Sequence, residues 1–107
     1  MDELNALIES YRSIIDTEYI YPTADGEVSV MIDPDAYYRA AAWLRSDPDL
    51  PRQVFGDDVP LPTLAGCPPG VDISWKRGTA KLLVYISPRP DDPIDFYGKN
   101  GEREWRP

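Results

Sequence analysis

Histidine is absent from this 107-residue chain, and cysteine occurs once, at Cys67. No apolar run reaches the roughly 18 to 20 residues that a helix needs to cross a bilayer. Each absence closes a class of function. A single cysteine permits no internal disulfide, and without histidine the usual zinc ligand sets cannot be assembled. Acid–base catalysis near neutral pH also loses its ordinary agent, so an enzyme built from this chain would need a carboxylate or lysine displaced far by burial. Cys67, beside Pro68 and Pro69, is expected to be a small packing residue and not a nucleophile. Met1-Asp2-Glu3 begins acidic where a secretory signal would begin basic, which leads to an expected cytoplasmic location.

Bases are also scarce. Lys and Arg number 11 against 19 Asp and Glu, a formal net charge of -8. Hydrophobic residues make up 42%, enough for a real core, while the 12 prolines exceed the usual share of about 5% and imply long stretches that are neither helix nor central strand. The length suits one domain spanning 1–107, because a second core would leave each half near the lower limit of independent folding.

Leu4, Leu7, Ile8, Tyr11, Ile14 and Ile15 recur at helical spacing and predict an amphipathic helix over 3–16. Glu18 to Pro22 and Val28 to Ile32 flank Asp25-Gly26 and read as a short hairpin, with Pro22 forcing its first arm to an edge. Asp33-Pro34 is a helix start, since the aspartate accepts from a free backbone N–H and proline at the first position gives up no needed donor. A second helix is predicted over 34–45, with Tyr37, Ala40, Ala41 and Leu44 as its apolar stripe. From Asp47 to Gly70 six prolines fall in 24 residues, which reads as a long internal connection and a candidate contact element. Alternation in Val71–Trp75, Ala80–Ser87, Ile94–Tyr97 and a short arm through Trp105 predicts an antiparallel meander of three to four strands. The expected class is α+β, two helices and a hairpin packed on that sheet.

Chemical motifs are thin. Asp57-Asp58 and Asp91-Asp92 are adjacent carboxylates, which solvate together in a polar loop and do not flank a bond from opposite sides. Asp33-Pro-Asp35 lacks the spaced acids, glycine and terminal glutamate of a calcium loop. Gly66 and Gly70 are separated by prolines without N–H donors, so no phosphate cradle forms there. Ser74 and Ser87 have Lys76, Lys81 and Tyr85 nearby in sequence but no histidine and no nucleophile elbow. No catalytic residue, metal site or cofactor is assigned, and the chain is expected not to be an enzyme.

The charge is unevenly spread. Residues 1–72 hold 14 acids against 4 bases and residues 73–107 hold 5 against 7, so a net of −10 meets a net of +2. Such a surface repels nucleic acid and anionic membranes and attracts a larger protein with a basic surface. One reading is that the acidity only keeps the protein in solution. The sharper one is that Glu9, Asp16, Glu18, Asp35, Asp47, Asp49, Asp57 and Asp58 bind a partner by imitating a row of phosphates. The expected function is thus an acidic inhibitor of a basic, nucleic-acid-binding target. Phage and mobile-element antagonists, anti-CRISPR proteins and DNA mimics among them, are similar in size and charge. The alternatives are an immunity or antitoxin protein that caps a toxin and, less favoured, a small hydrolase. Seven tyrosines add residues typical of interfaces, though each is equally at home half-buried on a sheet.

Overall fold

The computed structural model describes residues 2–107 and sets three helices in the N-terminal half against a five-stranded antiparallel sheet in the C-terminal half. Helix α1 spans Asp2–Ser10 and buries Ile8 completely. The single helix predicted over 3–16 is corrected here. Ser10 turns its hydroxyl onto the Leu7 carbonyl at 2.6 Å, and the chain tightens into a 3-10 turn, Arg12–Asp16, closed by bonds from Ile14 to Tyr11 and from Thr17 to Ile14. A serine that competes for backbone carbonyls and the β-branched pair Ile14-Ile15 both weaken the α geometry at this point.

Strands β1 (Glu18–Thr23) and β2 (Gly26–Met31) form the expected hairpin, a two-stranded sheet of its own. Both strands are edges, which accommodates Pro22 within β1. Helix α2 (Pro34–Arg45) matches its predicted bounds, and the Asp33 carboxylate accepts from the Asp35 N–H at 2.9 Å. Its buried stripe is Ala36, Tyr37, Ala40, Ala41 and Leu44, and the Tyr37 hydroxyl donates to the Ile8 carbonyl at 2.7 Å, tying α2 to α1.

The 47–70 connection is not a bare loop. It contains helix α3 (Leu50–Phe55) and strand β3 (Thr63–Cys67). Pro51 lies in the first turn of α3, where no N–H is missed, and Gly56 at φ 78° ends the helix. The strands β3, β4 (Gly70–Arg77), β5 (Ala80–Ile86), β6 (Asp95–Asn100) and β7 (Arg103–Trp105) follow one another as neighbours, so the meander has five strands where three to four were predicted. The two unforeseen pieces are short, and their apolar residues, Val54, Phe55 and Leu64, are scattered among prolines.

Leu64, Val71, Ile73, Trp75, Leu82, Val84 and Ile86 alternate onto one face of the sheet and form the core with α2, α3 and Ile8. Full burial of each aliphatic side chain contributes about 1.5–3 kcal/mol. Helix α2 lies over β4 and β5, with Trp43 edge-on to Trp75 at 6.1 Å, and α3 lies over β5 and β6.

The sheet itself holds α3 in place. Asn100 Nδ2 donates to the Val54 carbonyl at 2.7 Å and Arg77 Nη2 to the Phe55 carbonyl at 2.9 Å, satisfying helix-end acceptors that otherwise lack partners. Arg77 also reaches the Asp58 carbonyl and lies 5.6 Å from the Phe55 ring centroid. Gly98 opens the seat, since a Cβ there would stand 3.1 Å from Val54 and 3.2 Å from Leu82. We expect Asn100→Ala to lower the unfolding free energy by about 1–2 kcal/mol in a urea titration, because a half-buried carbonyl loses its donor. Limited proteolysis between Gly56 and Pro62 should quicken in parallel. An unaltered midpoint with unaltered cleavage would show that α3 is seated by its apolar face alone.

Candidate partner-binding surface

The eight carboxylates singled out from the sequence are all exposed, but they fall into three groups. Asp47, Asp49, Asp57 and Asp58 cluster around α3 and the segment after it. Asp16 and Glu18 stand at the root of the hairpin. Glu9 on α1 and Asp35 on α2 lie apart from both.

Half of them already face an arginine of the same chain. Glu9 is 3.5 Å from Arg45, Asp47 and Asp49 converge on Arg52 at 2.7 and 3.4 Å, and Asp58 is 3.5 Å from Arg77. Asp47 reaches Arg52 from a left-handed backbone position, φ 57°, which aspartate tolerates better than most residues. Its hydrogen bond, followed by its charge, raises the Arg52 pKa further above the usual arginine value. Exposed pairs of this kind add little stability. They do shorten the reach of the negative field, so the helix faces and the α3 region present fewer free carboxylates than the sequence implies.

The uncompensated charge is concentrated elsewhere. Residues 13–38 contain six carboxylates and no base. Four of them, Asp16, Glu18, Asp25 and Glu27, line the hairpin and its root, and Glu18 accepts a hydrogen bond from Ser29 across the strands. Among them Ile20, Tyr21, Val28 and Met31 are exposed, Ile20 by 60%. The hairpin is rooted on its other face by Tyr19, whose hydroxyl donates to the Gly66 carbonyl at 3.4 Å. A side chain at Gly66 would collide with Tyr19 and Ile32, so glycine is needed for this close approach. Asp25 and Glu27 were missed from the sequence, although the absence of any base between Arg12 and Arg39 was a signal available there.

A second feature is an open cleft of about 340 Å³. Leu4, Leu44, Pro51, Val59 and Trp75 supply its apolar walls, while Asp47, Asp57, Asp58 and Arg52 stand around it. The segment expected to be a contact element therefore does border a concavity, one whose chemistry suits an apolar stem with a cationic end.

Other groups weighed for chemistry have structural roles. The Ser87 hydroxyl donates to Asp92 at 2.8 Å and accepts from the Arg89 N–H, which folds the β5–β6 turn. The Arg39 guanidinium holds that turn against α2 through the Ser87 and Arg89 carbonyls. Ser74 lies on β4, 3.5 Å from the Thr63 carbonyl. Cys67 is exposed on edge strand β3, which corrects its expected role as a packing residue. Partial burial, and then the nearby Asp72 charge, raise its pKa, so the thiol stays protonated at neutral pH and is a poor nucleophile. Among the described residues no group of three or more histidine, cysteine, aspartate or glutamate side chains could hold a metal ion, and no helix is long and apolar enough to cross a membrane. Comparison with protein families, with curated proteins and with solved structures found no match to this chain.

Burial also raises the Asp72 carboxyl pKa, offset in part by the hydrogen bond with Cys67. A carboxyl raised in the folded state favours folding at pH values below its unfolded pKa, and that contribution is lost as pH rises through the folded pKa. Asp72→Asn should therefore raise the melting temperature at pH 7 and lose this advantage below about pH 4, where unfolded aspartate is protonated too. The same variant should lower the Cys67 pKa and speed its alkylation by iodoacetamide at pH 8. A slower alkylation would contradict the assigned coupling.

Proposed function

We propose that this chain is a non-enzymatic binding protein that engages and inhibits a larger protein with a basic surface, presenting the β1–β2 hairpin as its principal contact. The observation that carries this reading is the hairpin itself, where four carboxylates, Asp16, Glu18, Asp25 and Glu27, without a base in the segment, accompany exposed apolar side chains. Charge of one sign on a projecting element raises the rate of encounter with an oppositely charged groove. The apolar residues then slow dissociation, because interface cores draw on desolvated aromatic and aliphatic anchors.

A groove lined by lysine and arginine is the usual seat of a nucleic-acid backbone. The narrower form of the proposal is therefore a DNA mimic of the kind used against defence systems, its location cytoplasmic. The cleft beside α3 favours a second reading, an immunity or antitoxin protein, since an apolar hollow bordered by carboxylates receives a protruding lysine or arginine of a toxin. The two readings place the contact on different carboxylates and are separable on that basis.

Immobilised protein should capture a defined basic protein from host lysate, and free DNA should displace it. Capture should fall steeply with added salt, since exposed charges beyond a screening length of about 8 Å at physiological ionic strength cease to interact. Replacing Asp16, Glu18, Asp25 and Glu27 together by lysine should abolish capture under the DNA-mimic reading. Loss on replacing Asp57 and Asp58 instead would move the contact to the cleft. Capture that survives both sets of changes would refute electrostatic recognition.

A further inference from the structure

The hairpin offers its backbone as well as its charge. The pair Thr23↔Gly26 closes directly on the turn Ala24-Asp25, and Pro22 in the next row has no N–H to give. Bonded and non-bonded pairs alternate in an antiparallel ladder, so the rows that exchange hydrogen bonds are Thr23 with Gly26, Tyr21 with Val28 and Tyr19 with Val30. The other rows, Glu18 with Met31, Ile20 with Ser29 and Pro22 with Glu27, turn their backbone groups outward. No strand pairs with either outer edge, and among the described residues no backbone group from elsewhere bonds to Glu27, Ser29 or Met31.

The two edges are unequal. Pro22 removes an outward donor from β1, whereas Glu27, Ser29 and Met31 on β2 each keep an N–H and a C=O, and all three residues are exposed. Two strands alone are marginal in water, and in this pair only Tyr19 and Val30 are even half-buried. A third strand on β2 would bond the open groups and flank Val28 and Met31, both nearly half exposed.

The side chains along this edge define the chemistry of such a strand. Glu27, Ser29 and Met31 share one face, and the Ser29 hydroxyl donates to the Glu18 carboxylate, which draws a second acid to the middle of the row. Acid thus falls at two successive positions of that face, a step of about 6.8 Å. The reverse face carries Val28 and Val30, with Tyr21 beside them. A second copy of β2 would set acid near acid, since residues 13–38 hold no base. A nucleic acid has the wrong sign and no amide backbone to pair.

We propose that the basic partner is held by strand addition: an extended segment of it, with lysine or arginine at alternate positions and apolar residues between, pairs antiparallel with the outer edge of β2. Its cations face Glu27 and Glu18, its apolar residues extend the face of Val28 and Val30, and its main chain bonds the open row. This rests on the reading that the hairpin meets a basic protein, and adds the manner in which that protein is gripped. Pro22 makes β1 the poorer template, so the strand adds on β2.

A short fluorescein-labelled peptide of alternating lysine and valine, followed by fluorescence anisotropy on the full chain, tests this. It should bind saturably, and a glutamate–valine peptide should not. Ser29→Pro removes the central outward N–H and should weaken binding about tenfold or more, while Ser29→Thr keeps it and should stay within about twofold. Circular dichroism checks that both variants fold. The wild-type protein supplies a second arm: methylating the backbone nitrogens of the peptide's lysines, which face β2 in antiparallel register, should abolish binding, and methylating those of the valines should spare it. Absence of binding, equal binding by Ser29→Pro or by both methylated peptides, or loss on methylating the valines instead, overturns the proposal. So does a chain that dimerises alone in sedimentation velocity and loses the dimer with Ser29→Pro, which would give the edge to a second copy. Lysate capture that survives Ser29→Pro but is lost on replacing Asp16, Glu18, Asp25 and Glu27 by lysine defeats strand addition and leaves the hairpin reading standing. Capture indifferent to the fourfold replacement defeats both.

Discussion

Two side chains from the sheet, Arg77 on β4 and Asn100 at the end of β6, donate to the carbonyls of Phe55 and Val54, and the architecture of the middle third depends on that clamp. A six-residue helix among prolines has no means of persisting alone, since a helix that short cannot offset its own nucleation. With its last carbonyls satisfied and Val54 and Phe55 buried over Gly98, it becomes a cover for the core. The cleft beside it follows from the same placement, because Pro51, Val59 and the acidic rim are positioned by α3 and the chain leaving it.

Charge and topology together divide the surface in two. The helical side keeps several carboxylates in pairs with Arg45, Arg52 and Arg77, while the hairpin lies in a segment, residues 13–38, that holds acids and no base. The sheet contributes the opposite character on its uncovered face, where antiparallel registry lines up Lys76, Lys81 and Lys99. A small protein with an acidic, partly apolar arm and a cationic, partly apolar plate has two kinds of contact open to it.

Much of the local structure was legible in the residues. The Asp33-Pro34 cap located α2 to the residue, Asp25-Gly26 between alternating runs located the hairpin, and alternation from Val71 to Ile86 located β4 and β5. These signals are short-range: a cap, a turn and a period of two act among neighbours in the chain. Helix α3 and strand β3 were not legible, because Val54, Phe55 and Leu64 make no periodic run; α3 owes its order to partners 22 and 46 residues away, and β3 to its pairing with β4. The candidate surface was legible only in its sign. Acidity of the N-terminal two-thirds is a property of composition, but which carboxylates are neutralised depends on where Arg45, Arg52 and Arg77 come to rest.

The sequence by itself determined the α+β class, the bounds of α2, the hairpin and the strong excess of negative charge, since each arises from the chemistry of adjacent residues. Only the tertiary structure decided that the proline-rich stretch covers the core, that Arg45, Arg52 and Arg77 pair with carboxylates of the helical side, and that Lys99 joins Lys76 and Lys81 in one row. Those features are set by registry between strands and by hydrogen bonds across long loops, and pairing over such distances leaves no periodic trace in a single chain.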